Sequence, residues 1–337
     1  MSRHDLTFFN SYRPPNAGQP LIGRLGREAR SFAAFVRMLL RHRPAVVHVK
    51  TAESVNFFQG VVYVLLARIT GCRVLLQVHG GAFDSWYEGL SSRTQAVVRA
   101  ALRLPHRLIV LSEFWRRQFE QLCPERPVSV IPNGVEVDNA SPRTARQRPG
   151  LHVITIGAIG IRKGHFDIVE AARMLSDLDI VFDFVGPDEY GGETAQVRQR
   201  VSDLGLDKYF ELTGPLTGHD KWDALAKADV FLLPAHNENM PNSVLEAMAA
   251  SLPVVATDVG AVREMLGDAA ILVPIGDPAA IAAQLRTLHD DPKIRFELGL
   301  ANRERVVNSY SFAYVELLLG KLYTCADIHP DLPPSAR

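Results

Sequence analysis

Two carboxylates, Glu238 and Glu246, stand on either side of Asn239-Met240-Pro241-Asn242-Ser243. An ionised carboxylate only accepts hydrogen bonds, and its two oxygens can hold a pair of sugar hydroxyls. Proline is favoured where a helix opens, and Asn or Ser near its cap. The segment therefore reads as a loop carrying Glu238, then a helix to about Ala250 carrying Glu246 one turn inside. Unpaired amides at that helix start, together with its dipole, form an anion site that suits a diphosphate. In this arrangement Glu238 would meet a sugar and Glu246 a ribose. Each alone has a plainer account: dipole complementarity worth about 0.3–1 kcal/mol for Glu238, and a solvated helix face for Glu246. Both together, beside a Pro-opened helix between two apolar runs, favour the functional account.

Other residues join them. The run 157–164, GAIGIRKG, lies where an apolar run gives way to a helical pattern. Gly157 and its fellow glycines permit a tight turn, and Lys163 offers a cation to a phosphate, with Arg162 adjacent. The run is neither GxGxxG nor a P-loop. His79-Gly80-Gly81 follows the apolar run 74–78. A histidine at the carboxyl end of a parallel strand points toward ligand and can donate to a sugar or to an acceptor; a satisfied structural histidine is the alternative. Gly186-Pro187 and Gly214-Pro215-Leu216 follow further apolar runs, and Asn133-Gly134 marks a turn with positive φ. His48, His106 and His165 show no metal-ligand spacing, so no metal and no cofactor is expected.

The elements that must position these residues are legible as apolar runs. Residues 46–49, 74–78, 108–111 and 128–131 read as buried strands in the first half, and 153–156, 181–185, 210–212, 230–233, 254–256 and 271–273 in the second. They lack period-2 alternation, as strands covered on both faces do. Amphipathic stretches at 28–41, 92–102, 167–175 and 279–289 alternate with them, an order that implies parallel sheets. Ten strands divide naturally into two sheets, and 139–150, polar with two prolines, has linker composition. The expectation is an α/β protein of two Rossmann-like, doubly wound domains, 1–145 and 146–309, with a helix at about 310–325 completing the first and a disordered tail at 326–337. Ligands of such sheets sit at the carboxyl ends of the strands, here in a cleft between the domains.

Composition bounds the rest. The chain has 337 residues, 47% hydrophobic and 22% charged, which suits a soluble globular protein. No apolar run reaches the roughly 18–20 residues of a membrane span, and Met1 to Asp5 are too polar for a secretory signal. Cys72, Cys123 and Cys325 are dispersed and odd in number, so a reducing cytoplasm is expected, without disulfide or zinc. The net charge of zero conceals an asymmetry: residues 1–150 hold 21 Lys and Arg against 10 Asp and Glu, and the remainder 16 against 27. The basic half either meets anionic lipid or phosphorylated acceptors, or attracts the acidic half. A helix at 21–43 carries Arg24, Arg27, Arg30, Arg37, Arg41 and Arg43 among Leu25, Phe32, Phe35, Val36, Leu39 and Leu40. This basic amphipathic pattern fits an anionic membrane surface, or a helix packed on its sheet with a solvated basic face.

The pattern Glu238-x7-Glu246, with Asn239-Met240-Pro241-Asn242 inside it and LEAMAASLPVVATDVGAVREML following, resembles the signature of glycosyltransferase family 4. The resemblance implies a GT-B fold and a retaining, metal-independent transfer from a UDP- or GDP-sugar to a glycan or lipid-linked acceptor, of the kind used in bacterial surface polysaccharide synthesis. It implies that Glu238 contacts the donor sugar, Glu246 the ribose, and the backbone from Asn239 to Ser243 the diphosphate. The run 157–164 is similar to the family's Gly-Arg-Leu…Lys-Gly loop, with Lys163 matched but Ala158 where Arg is expected. Losing an arginine at a developing charge removes transition-state stabilisation, which Arg162 would have to restore. His79-Gly80 and Pro132-Asn133-Gly134-Val135 also match, and Gly214-Pro215-Leu216 falls where the family's base lies. Residues 6–9 resemble the family's second strand, with no Gly-Gly loop before them. Ala158 and the missing opening strand keep a catalytically weak binding module as the alternative. The Glu-x7-Glu spacing argues against a sugar epimerase of the same shape, and the lack of GxGxxG against a dinucleotide oxidoreductase. The expected partners are a nucleotide-sugar and its acceptor in the cytoplasm, with peripheral contact to an anionic membrane through the basic half and no nucleic acid.

Overall fold

A computed structural model of the protein describes residues 6–10, 21–140 and 150–324, except for the side chains of 21–25. Most of the polar run 139–150, Cys325 and the tail 326–337 lie outside the described residues. The chain forms two compact units. The first comprises Met1–Leu111, Trp115–Ile131 and Leu317–Arg337; the second comprises Ser112–Phe114 and Pro132–Glu316.

The first unit contains α1 (Leu21–His42), β1 (Val46–Thr51), α2 (Val55–Ile69), β2 (Arg73–Val78), α3 (Phe83–Glu88), α4 (Ser92–Leu102), β3 (Arg107–Val110), most of α5 (Glu113–Leu122) and β4 (Val128–Val130). Its strands pair in parallel in the order β1-β2-β3-β4. Val74, Leu75, Leu76, Leu108 and Ile109 are fully buried, which accounts for the unbroken apolar runs. The apolar side of α1 is spent inside the unit: Phe35 and Leu39 are buried, and Phe35 meets Tyr63 of α2 edge-on at 4.9 Å.

Residues 6–10 form no strand, contrary to the sequence reading of 6–9. Their apolar side chains are not shared across a ladder. Phe8 is 90% exposed, while Phe9 packs on Phe35 and Tyr63 at 5.2 and 6.0 Å. The segment is thus anchored by one aromatic ring to the α1–α2 pair rather than by backbone pairing to a sheet.

The second unit contains β5 (Leu151–Ile156), α6 (His165–Arg173), β6 (Ile180–Val185), α7 (Glu193–Asp203), β7 (Phe210–Leu212), α8 (Gly218–Lys227), β8 (Val230–Leu233), α9 (Asn242–Ala249), β9 (Val254–Thr257), α10 (Val262–Leu266), β10 (Ile271–Val273), α11 (Pro278–Asp290) and α12 (Pro292–Ser309). A last helix, α13 (Phe312–Thr324), begins in this unit and ends in the first, where the Tyr323 hydroxyl lies 2.8 Å from His48 Nδ1. The sheet order is β10-β9-β8-β5-β6-β7, all parallel. Strand order reverses between β5 and β8, so the crevice outside their carboxyl ends is the topological switch point, where open α/β sheets bind ligand. The loop after β5 is 157–164 and the loop after β8 leads to α9. The two segments that the sequence singles out therefore emerge side by side. No helix among the described residues is long and apolar enough to cross a membrane.

Candidate functional site

The loop after β5 is built on its neighbours. Gly157 N–H donates to Val185 O at 2.9 Å and Ile159 N–H to Pro187 O at 2.8 Å; Gly186 N–H in turn donates to Gly214 O at 3.0 Å. The loops after β5, β6 and β7 thus form one edge. Gly186 is required there, since a β-carbon on it would fall 1.7 Å from Gly157 O. Gly164, with φ +76°, turns the chain into α6; a β-carbon on it would lie 2.1 Å from Pro234 O. Buried His165 follows, its Nδ1 3.2 Å from Gly160 O and its ring edge-on to Phe184 at 4.6 Å, and burial lowers its pKa to about 4.

This framework brings Lys163 onto Glu238. Lys163 Nζ forms a close ion pair with Glu238 Oε1, and the two side chains are 11% and 10% exposed. Arg162 Nη1 lies 3.5 Å from the same oxygen and 3.4 Å from Asn237 O, while its Nε pairs with the buried carboxylate of Glu189. A second cation therefore stands beside Lys163 although Ala158 carries none. Glu189 was not singled out from the sequence; Asp188-Glu189 after Gly186-Pro187 is the one signal that a carboxylate lies near that edge.

The Glu238 loop is shaped by Gly260, with φ +54°, whose β-carbon would lie 2.2 Å from Glu238 O. Ala261 N–H donates to Asn239 O at 2.7 Å. Met240 is buried, and Asn133 Nδ2 donates to its carbonyl at 3.0 Å, which gives the Pro-Asn-Gly-Val segment a structural partner. Pro241 takes the cap position of α9 itself and no side chain caps the first turn. Asn242 and Ser243 are thus the first helical residues rather than capping groups, and the amides at the helix start keep capacity for an anion.

Glu246 faces a different group. Its Oε1 pairs with Lys221 of α8 at 2.6 Å, and both line a cavity with Trp222, Gly218, Asn242 and Phe312. Pro215 and Leu216 are not among its lining residues. Lys221 and Trp222 had no sequence signal as site residues, because α8 carries no motif and Lys221 stands 25 positions before Glu246.

His79 lies in the first unit at the carboxyl end of β2, its N–H donating to Thr51 O at 2.8 Å. Burial first, and Lys50 second, lower its pKa to about 4, so the imidazole is neutral at pH 7. Gly80 beside it leaves room for the Glu53 carboxylate, whose Oε2 lies 1.5 Å from where a β-carbon would stand. Gly81 follows, partly exposed.

Two parallel-sheet α/β units of this kind match the GT-B fold. A family model described as Glycosyltransferase Family 4 matches residues 2–139, and one described as Glycosyl transferases group 1 matches 150–291. The chain belongs to glycosyltransferase family 4. It is 28% identical over 192 residues to a putative colanic acid biosynthesis glycosyltransferase of Escherichia coli, covering 53% of this chain and 46% of that protein. It is 28% identical over 225 residues to an amylovoran biosynthesis glycosyltransferase of Erwinia amylovora, covering 62% and 54%. A phosphatidyl-myo-inositol mannosyltransferase of Mycobacterium leprae is 32% identical over 246 residues, covering 69% and 63%. The chain spans about half the length of the first of these relatives. Among solved structures, HepE of Anabaena in complex with UDP superimposes with a TM-score of 0.75 at 17% identity, covering 91% of this chain and 84% of that one. Sucrose-phosphate synthase of Thermosynechococcus elongatus gives 0.73 at 21%, covering 90% and 79%. At these identities the likeness shows the fold.

Proposed function

We propose that the protein is a retaining glycosyltransferase that moves a sugar from a nucleotide-diphosphate donor to a glycan or lipid-linked acceptor in surface polysaccharide synthesis. The observation that carries this reading is the Lys163–Glu238 pair at the switch point of the second sheet, beside the uncapped start of α9. The diphosphate takes Lys163, Arg162 and the helix-start amides, and Glu238 turns its freed oxygens to the sugar hydroxyls. The bond from the anomeric carbon to the phosphate oxygen breaks with its electron pair remaining on the diphosphate. The acceptor oxygen bonds to the same face of the sugar, and its proton passes to the departing phosphate oxygen. Lys163 and Arg162 carry the developing negative charge, so the step needs no metal. The nucleoside occupies the cavity of Trp222, Lys221 and Glu246, and neutral His79 of the first unit is a hydrogen-bonding group for the acceptor. Names of relatives acting in colanic acid and amylovoran synthesis support the pathway class, and solved relatives holding UDP support the donor class.

The test is a thermal-shift screen with UDP-, GDP- and ADP-sugars, followed by transfer or donor hydrolysis with the stabilising one. Glu238→Ala is expected to abolish turnover while the protein stays folded; turnover at the wild-type rate would sink the assignment. Ala158 favours a second reading, a donor-binding module without transfer, which predicts stabilisation by the nucleotide and no product.

We also propose that the first unit docks on an anionic membrane, through α2 as well as α1. Val55, Phe58, Leu65 and Ile69 are exposed at spacings of three, seven and four residues, which place them on one face of α2, with Val55 and Ile69 each 80% exposed. Leu40 and the arginines Arg30, Arg37 and Arg41 of the neighbouring helix α1 are exposed as well. The excess of basic residues in 1–150 complements anionic headgroups and repels a second copy of the same face.

A further inference from the structure

The loop that presents Glu238 is fastened at several points to one short stretch, 162–167. His236 N–H donates to Arg162 O at 2.8 Å, and Arg162 Nη1 donates to Asn237 O at 3.4 Å. His236 Nε2 lies 2.7 Å from Asp167 Oδ2, a carboxylate in the first turn of α6, and Glu238 itself meets Lys163. The Asp167 side chain is 18% exposed and that of His236 37%, so the carboxylate is the more sheltered partner of the pair. Lys163, Asp167 and the Gly164 turn between them belong to one rigid corner, closed on Pro234 by the packing at Gly164.

Without donor, the ion pair to Lys163 ties the Glu238 side chain to the 162–167 stretch, beside Arg162. A diphosphate competes with Glu238 for the Lys163 ammonium, so that contact weakens at the moment when the position of Glu238 matters. We infer that His236 and Asp167 are a positioning pair: they hold the Glu238 loop in register with the Lys163 corner once Lys163 has turned to the phosphate. Neither touches the reacting atoms. This inference rests on the donor-site reading above and deepens it.

The consequence is a split between binding and turnover. Lys163, Arg162 and the α9 start still bind the diphosphate in His236→Ala, so donor KM changes by no more than about twofold. Misplacement of Glu238 by a fraction of an ångström to about 1 Å lowers kcat by about 10- to 100-fold. His236→Gln places an amide N–H where Nε2 stands and restores kcat to within about threefold of wild type. Asp167→Ala matches His236→Ala, and the double variant is no worse than either, because both remove the same contact.

The experiment is steady-state kinetics of the full chain with whichever of UDP-glucose, UDP-N-acetylglucosamine and GDP-mannose gives the largest thermal shift, on wild type, Glu238→Ala, His236→Ala, His236→Gln, Asp167→Ala and the double variant. A kcat defect in His236→Ala with unchanged KM, rescued in His236→Gln, supports the pair. If Glu238→Ala loses turnover while His236→Ala keeps it, or loses KM instead, or is not rescued by Gln, the positioning role is wrong and the donor site stands. If wild type turns over none of the three, or Glu238→Ala equals it, the transferase reading of this site fails and the inference falls with it.

Discussion

Lys163 and Glu238 neutralise each other while nine-tenths of each is withdrawn from water. Removing one partner leaves the other charge in a poorly solvated place, so Lys163→Ala should lower stability by about 2 kcal/mol and abolish transfer. Urea unfolding beside a turnover assay checks both, and a stable, active variant would contradict the paired site. The residue types of this pair were legible: a carboxylate before a Pro-opened helix and a lysine in a glycine-rich turn. Their partners were not. Glu189 reaches Arg162 from 27 positions away and Lys221 reaches Glu246 from 25, and only the fold makes them neighbours. The histidines carry a pH signature of their own. His48, His79 and His165 are each lowered to about 4, in every case chiefly by burial, from a value of 6.5. Between those values the unfolded chain binds more protons than the native one, so unfolding free energy falls as pH drops from 6.5 toward 4. The urea midpoint measured across that window should decline, and less steeply in His165→Asn, which has no proton to gain.

At the scale of elements, the sequence reading of parallel strands succeeds where burial on both faces leaves an unbroken apolar run, as at 74–78 and 230–233. It fails at 6–9, where Phe9 serves as a single aromatic anchor and the other side chains face water. Composition cannot distinguish a strand that pairs from a short apolar segment tethered by one ring. Helix starts are also only partly legible: Pro241-Asn242-Ser243 reads as the opening of α9 with Asn or Ser near its cap, and the cap is Pro241 itself. The glycines that matter most at the site are those with backbone against them. Gly260→Ala combines a left-handed residue with an atom 2.2 Å from Glu238 O, and the loop must yield. The expected cost is roughly 2–4 kcal/mol from the backbone conformation and overpacking together. Turnover should fall with it, since the displaced residue is Glu238; a variant with wild-type melting temperature and rate would contradict this. Gly205→Ala is the control. Gly205 also has positive φ, but nothing lies within 4 Å of its β-carbon position, so only the smaller conformational cost should appear.

At the scale of the whole molecule, the basic excess and the apolar stripe of α2 fall in the same unit. The sequence shows the basic excess of 1–150 and, within it, a basic amphipathic helix beginning at Leu21, on which Phe35 and Leu39 are buried and Phe35 packs against Tyr63 of α2. A stripe of apolar side chains on α2 also faces water, on a helix whose composition gives no hint of which side is covered. The two contributions separate experimentally. Basic residues near an anionic surface add about 1 kcal/mol each and are screened by salt, whereas burial of Val55, Phe58, Leu65 and Ile69 depends on apolar area and not on salt. Flotation with vesicles of phosphatidylglycerol and phosphatidylcholine should show binding at low salt that weakens as salt rises. A Val55→Ser/Ile69→Ser variant should bind less at every salt concentration, while Arg37→Gln/Arg41→Gln should flatten the salt dependence. Absence of binding at low salt would remove the membrane from the proposal. Self-association abolished by Val55→Ser/Ile69→Ser would assign the stripe to a second copy of the chain instead. If both contributions are present, the first unit is held at the bilayer surface by charge and by apolar area together.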